Sequence, residues 1–385
     1  MQILVLGGSG FVGQRLARQL VAAGLRPCLA SRGQRTGAGS LAPSAGPHLT
    51  LDACDEAALT SALRRCDAVV NAVAGSPRAI AEGAGVLARA LKAVGGRPLV
   101  HLSSMAVYGA APTPHDSGPT YSGPADSEPT GAGSIEPGPS DPRPIQRGLT
   151  AESDWVPIDA IDATCATRAH RPAVSSYARA KREAEAQLAP LAAQGMPVAL
   201  LRPGCVWGAG SPLWVDRIAA LLAAGRLGDL GERGDGWTQG LHVEDLCEVV
   251  LRLLLQPGTG LRVFNLAAPD SPRWNHYLRD LAVAIGATPL RRVPAWQLAL
   301  DACLLSPPIY LAQRLGLRHP HLPPLPPGVL RLVAAPMRMD CQAVQSALDL
   351  RWTPYERALG EAAAAWRRDN ASHKALARNS GLPST

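Results

Sequence analysis

The chain has 385 residues, 46% of them hydrophobic, so it can bury a full core and has room for two domains or one large domain with insertions. Its net charge of +7 comes from scattered arginines, and its two phenylalanines, Phe11 and Phe264, are not interleaved with them as stacking platforms, which argues against nucleic-acid binding. Eight cysteines show no C-x-x-C pair and no nearby histidine cluster, so neither a metal site nor a disulfide framework is expected.

No basic n-region or signal-type cleavage site opens the sequence, and no apolar run is long enough to span a bilayer. A cytoplasmic location and no membrane partner are the expectations. The most lipid-like stretch, from Ala295 to Leu317, is broken by Asp301 and by Pro307-Pro308, and reads as a pair of helices in a substrate domain.

The chain begins with an apolar run, Gln2 to Leu6, followed by Gly7-Gly8-Ser9-Gly10-Phe11-Val12-Gly13 and then apolar residues at helical spacing through Gly24. That order predicts strand, tight turn, helix. A phosphate-bearing ligand needs backbone N–H groups that it can approach closely, and a helix N-terminus supplies them together with a favourable dipole. Gly8, Gly10 and Gly13 fit the G-x-G-x-x-G dinucleotide pattern, and Gly7, Gly10 and Gly13 fit the wider G-x-x-G-x-x-G spacing. Gly7, Gly10, Phe11, Val12 and Gly13 are therefore candidate cofactor contacts.

Arg26 to Ser31 reads as the second strand. An acid at its end would bind ribose hydroxyls, whereas an arginine accommodates a 2′-phosphate. Ser31 and Arg32 stand there, with Arg35 nearby, so NADP(H) is favoured and NAD(H) is the alternative. A third strand, His48 to Asp52, puts Asp52 or Ala53 near an adenine, with Asp55 a helix N-cap candidate before a helix to Leu63. Ala68 to Ala74 is the fourth strand, a helix covers Ile80 to Val94, and Pro98 to Ser104 is the fifth strand. This alternation predicts an α/β fold with a doubly wound parallel sheet, whose ligands belong at the carboxyl ends of the strands.

Residues 109–148 are crowded with Pro, Gly, Ser and Thr and have no apolar period, which reads as a loop, a disordered segment or a lid. A long helix starts at Ser175, a sixth strand spans Pro197 to Pro203, and Leu261 to Leu266 returns to the sheet. Tyr177 and Lys181, four apart on that helix, share one face. A nearby ammonium favours the ionised phenol and lowers its pKa, making tyrosine a usable acid and base. The chain has only three lysines, so the pairing is informative. Ser103 and Ser104 end the fifth strand, where a hydroxyl can bond the reacting oxygen beside the tyrosine.

These motifs resemble the extended short-chain dehydrogenases/reductases, which include nucleotide-sugar epimerases and dehydratases. The resemblance is carried by the glycine turn, His101 to Gly109, Tyr177 to Lys181, Leu201 to Gly208, Gly240 to Leu246 and Leu350 to Pro354. It implies Tyr177 as catalytic acid/base, Lys181 as its pKa modulator and a ribose ligand, and Ser104 as anchor for the substrate oxygen. It also implies that Ser103, Pro203 and the turn Asn71, Ala72, Val73 line the nicotinamide half of a cofactor. The implied organisation is a Rossmann domain over 1–204 with a Pro/Gly-rich insertion at 109–170. A smaller, interrupted substrate domain follows over 205–238 and 271–368, with 239–270 returning to the sheet and 369–385 a polar tail. A homodimer through helices flanking the sheet is also implied.

Where nucleotide-sugar enzymes often carry an asparagine after the arginine of the sixth strand, this chain has Pro203-Gly204-Cys205, and where they often place an arginine before His-Val it has Trp237-Thr238-Gln239. Both departures weaken a diphosphate site. The expectation is an NAD(P)-dependent reductase or dehydrogenase acting on a small-molecule substrate. The alternatives are a nucleotide-sugar epimerase or dehydratase and a non-catalytic dinucleotide-binding regulator. His242 and Asp245 are expected to be structural, Trp207, Trp214, Trp237 and Trp274 to be core or pocket, and Glu152 and Asp154 to be available as extra acids.

Overall fold

Seven parallel strands form the main sheet of this computed structural model, with the first strand of the chain in its interior. The structure describes residues 1–33, 46–108, 175–314, 323–325, 329, 332–334 and 338–379. All of them fall within one of the two compact units into which the chain divides; the other, Pro112–Pro157, lies outside them, as do Arg35, the whole 109–170 insertion, Glu152 and Asp154.

β1 (Gln2–Leu6) lies between β2 (Arg26–Ser31) and β4 (Ala68–Asn71), so the strand order reverses beside β1. That reversal opens a crevice at the carboxyl ends, the place where a doubly wound sheet takes its ligand. β3 (His48–Thr50) is one edge, and β5 (Leu99–Leu102), β6 (Val198–Pro203) and β9 (Leu261–Leu266) complete the other half. The strands are near-continuous apolar runs because both faces are covered. On one face, Ile3, Val5, Val100, Leu102 and Leu201 pack with α1 (Phe11–Ala22) and a helix at Val243–Leu255. On the other, Leu4, Leu6, Val69, Leu99 and Leu200 pack with α2 (Glu56–Leu63), α3 (Pro77–Ala93) and α4 (Ser176–Leu188).

Most expected elements are present with shifted ends. Helix α1 starts at Phe11, within the glycine motif, and the fourth and fifth strands end at Asn71 and Leu102, leaving Ala72, Val73, Ser103 and Ser104 as irregular backbone beyond the sheet edge. Asp55 caps α2, its side chain accepting from the Ala58 amide at 3.0 Å. β7 (Cys205–Trp207) and β8 (Gly240–His242) pair in a separate two-stranded parallel sheet. One helix runs over Tyr355–Asn379, through the residues from Asp369 expected to form a polar tail, and its many Ala and Arg residues have good helical propensity.

Candidate functional site

The glycine turn is built by contacts that exclude a side chain. Gly7 has φ of +80°, and a Cβ there would lie 2.6 Å from the Ala72 carbonyl oxygen; a Cβ on Gly13 would lie 2.5 Å from the Gly7 carbonyl oxygen. The Gly7 and Gly8 amides donate to the Ala30 carbonyl, and the Gly10 amide donates to Gly7, folding the turn tightly over the ends of β1 and β2. α1 then opens with Gly10 at its N-cap, no side-chain cap and no acid in the first turn. The N–H groups of a first turn have no intrahelical acceptor, so Phe11, Val12 and Gly13 head a helix end with donors and positive dipole available to an anion. This cradle fits the pyrophosphate of a dinucleotide.

At the end of β2, the Ser31 hydroxyl donates to the Gly33 carbonyl and shares a 2.8 Å hydrogen bond with His48, while Arg32 is exposed. Asp52 accepts from the Cys54 amide at 3.0 Å, and Ala53 packs against the position of a Cβ on Gly83 in α3. Asn71 accepts from the Val73 amide, which fixes the turn after β4.

Lys181 joins the two strand ends. Its buried ammonium donates to the carbonyl of Leu102 at 2.6 Å and of Val73 at 3.2 Å, so it ties the ends of β5 and β4 from α4. Burial pushes Lys181 down to about 8, with Glu185 pulling the other way. Tyr177 lies one turn earlier. Burial pushes its phenol up, and the Ser104 hydroxyl, which favours the ionised form, only partly opposes this. This differs from the expectation that the lysine lowers it: the ammonium sits 5.9 Å from the centre of the Tyr177 ring and is turned toward two carbonyls. The Ser103 hydroxyl is buried without a partner.

Sequence reasoning missed the support behind these groups. Arg202 holds Glu185 and Tyr108, and Tyr108 donates to Asn265 at 2.6 Å. Glu185 stands eight residues after Tyr177 on the same helix face, and that spacing was the available signal. His101 is fully buried with neither ring nitrogen partnered; burial first, and the Lys181 charge second, push its pKa well below the usual histidine range, so it is a neutral imidazole.

A second cluster lies away from these residues. Trp207, Trp214, Trp274, Tyr277, Tyr355 and His242 line a cleft to which Ser104, Tyr177 and Lys181 contribute nothing. Trp207 meets His242 edge-on at 6.3 Å, and Tyr277 donates to the Trp214 carbonyl at 2.5 Å. Asp245 accepts from the Thr353 amide and hydroxyl, tying the helix after β8 to the C-terminal segment. Trp237 is not among the lining residues; the guanidinium groups of Arg273 and Arg338 lie 5.0 and 4.6 Å from its ring. Among the described residues, the cysteines are unpaired and no group of His, Cys, Asp and Glu could hold a metal.

The sequence model of the NAD dependent epimerase/dehydratase family matches residues 3–132 and 153–267. The chain belongs to this family. Its members are enzymes. No curated protein matches the sequence. Among solved structures, a putative epimerase from Burkholderia cenocepacia J2315 is similar over 95% of this chain and 98% of its own, with TM-score 0.63 and 17% identity. UDP-glucose-4-epimerase from Stenotrophomonas maltophila, with NAD and formylated UDP-arabinopyranose bound, is similar over 97% and 99%, with TM-score 0.62 and 18% identity. dTDP-glucose 4,6-dehydratase from Bacillus anthracis str. Ames, in complex with NAD, is similar over 97% and 98%, with TM-score 0.61 and 15% identity. These likenesses concern the fold.

Proposed function

We propose that the protein is an NAD(P)-dependent oxidoreductase that acts at a carbinol or ketone carbon of a small-molecule substrate, with Tyr177 as the acid/base. The observation that carries this reading is the buried Lys181 ammonium at the carboxyl ends of β4 and β5, one helical turn from Tyr177 and 5.9 Å from the centre of its ring. When bound, a nicotinamide dinucleotide supplies the partner for hydride transfer. The chain's own part is to hold the substrate oxygen between the Ser104 and Tyr177 hydroxyls and to take or give its proton at the tyrosine oxygen. The buried Lys181 ammonium would suit a ribose hydroxyl once it leaves one of its carbonyl acceptors, and Ser103, Pro203 and the 71–73 turn would line the nicotinamide half of the cofactor.

A second reading is transient oxidation of a nucleotide sugar, with no net redox. It is favoured by family membership and by Arg273 and Arg338 around Trp237, which offer cations to an anionic substrate in place of the missing arginine before His242. The Stenotrophomonas UDP-glucose-4-epimerase, with NAD and formylated UDP-arabinopyranose bound, has the same fold. A cytoplasmic homodimer is the accompanying proposal, checked by light scattering.

The test is a parallel assay of UDP- and dTDP-sugars against simple ketones and alcohols, with NAD(H) and NADP(H), on the wild type and on Tyr177→Phe. A stoichiometric change in nicotinamide absorbance supports net redox; an epimeric or keto sugar without that change supports the second reading. Tyr177→Phe is expected to lower turnover by about 10²–10⁴ while cofactor affinity holds. An activity that Tyr177→Phe leaves intact overturns the acid/base assignment.

A further inference from the structure

A helical rod on the surface carries an apolar face that no described residue covers. It consists of Ala295–Leu300, one wide π turn at Asp301–Leu305, and Ser306–Arg314. Its inner face is anchored: Asp301 accepts from Arg226 at 2.5 and 2.8 Å and from the Ser306 hydroxyl at 3.1 Å, and that hydroxyl accepts from the Leu325 amide. Leu298 and Ala302 are buried with it. The outer face is apolar as well. Trp296 is 68%, Leu304 63% and Leu311 60% exposed, with Leu300, Leu305 and Tyr310 beside them. Trp296, Leu300 and Leu304 recur at i, i+4 and i+8, so they form one stripe. A helix that is apolar on both faces belongs in a covered position, and a contiguous exposed patch marks a surface that meets something.

The charge pattern identifies what covers it. Between Arg291 and Arg314 the only acid is Asp301, which is buried and paired with Arg226. Exposed Arg291 and Arg292 precede the stripe in the chain, five and four residues before Trp296, and Tyr310 stands toward its other end. A second copy of this surface would bring arginines without counter-charge. Anionic lipid headgroups supply that charge, leucines suit the acyl boundary, and Trp and Tyr suit the interface on either side. We propose that the face built on Trp296, Leu300, Leu304 and Leu311 docks the protein reversibly on an anionic membrane surface, lying in the interface without spanning it. This goes beyond the enzymatic reading, does not depend on it, and revises the expectation of no membrane partner.

Sedimentation with vesicles tests it, using the full chain. Phosphatidylcholine vesicles containing phosphatidylglycerol are compared with pure phosphatidylcholine at low and high salt, for the wild type, Leu304→Glu/Leu311→Glu and Arg291→Ala/Arg292→Ala. The wild type is expected to partition onto the anionic vesicles, less so at high salt, and each double variant to lose about tenfold in partitioning. All three proteins should titrate alike with the nicotinamide cofactor, which separates failure of docking from misfolding and from failure of the enzymatic reading. No sedimentation of the wild type with anionic vesicles overturns the proposal, as does a concentration-dependent dimer that Leu304→Glu/Leu311→Glu dissociates, since a second copy would then be the cover.

Discussion

Arg202, near the end of β6, and Glu185, on α4, make a two-point buried ion pair: Nε to Oε1 at 2.9 Å and Nη2 to Oε2 at 2.6 Å, with side chains 1% and 2% exposed. Burial opposes the Arg202 charge, but the Glu185 hydrogen bonds more than restore it and raise its pKa. The free Nη1 edge donates to Tyr108, whose helical turn directly follows Ser104, and Tyr108 donates to Asn265, opposite Arg202 on β9. The pair therefore joins the helix bearing Tyr177 to the strand ends that carry the serines. Breaking one partner of such a pair leaves an uncompensated charge, so Glu185→Gln should cost about 3–5 kcal/mol, whereas Glu185→Leu/Arg202→Met should cost much less. Urea unfolding of both variants checks this. A Glu185→Gln midpoint close to the wild type would show that the pair contributes little to the fold.

Lys181 sets a pH dependence. Its folded pKa of about 8 lies below its ordinary value of 10.5, so between these pH values the unfolded chain holds a proton that the folded chain has released. Stability contributed by this group rises with pH through that window and is lost as pH falls through about 8. Lys181→Met should flatten the rise by on the order of 3 kcal/mol. Denaturant midpoints measured from pH 7 to pH 11 would show it, and parallel curves for the two proteins would refute it.

The glycine turn discriminates between its own positions. Gly13→Ala puts a Cβ 2.5 Å from the Gly7 carbonyl oxygen, whereas Gly10→Ala meets the same atom at 3.2 Å. Overpacking of this kind costs about 1–3 kcal/mol, so Gly13→Ala should weaken nicotinamide dinucleotide binding by at least about tenfold, with Gly10→Ala milder. Fluorescence titration ranks the two, and the opposite order would mean that the cradle is set by the ligand and not by backbone crowding.

Arg32 carries the proposed choice between NADP(H) and NAD(H). It is exposed just past the end of β2, and its sequence neighbours Ser31 and Gly33 are not acids. Tight NADPH binding that Arg32→Ala reduces to the NADH level is the expected outcome. Preference of the wild type for NADH, or NAD retained through purification, would make NAD the cofactor and bring the nucleotide-sugar reading forward.

Much of this protein follows from local order in the chain. A glycine turn between an apolar run and a helix, repeated alternation of strands and helices, and the four-residue step from Tyr177 to Lys181 act over short separations, where strand and helix periodicity fix which residues share a face. Those features define the doubly wound sheet, the glycine turn and the candidate acid/base. Other properties depend on residues far apart in sequence meeting in the folded chain. Burial, which no spacing reveals, pushes the Tyr177 phenol up and turns the Lys181 ammonium toward the carbonyls of Val73 and Leu102. The Glu185–Arg202–Tyr108–Asn265 network assembles four elements, and Arg226 holds Asp301 on the inner side of the helical rod whose outer face carries the stripe from Trp296 to Leu311. Desolvation and long-range pairing depend on which surfaces the packed sheet and helices leave open, and only the tertiary structure specifies that.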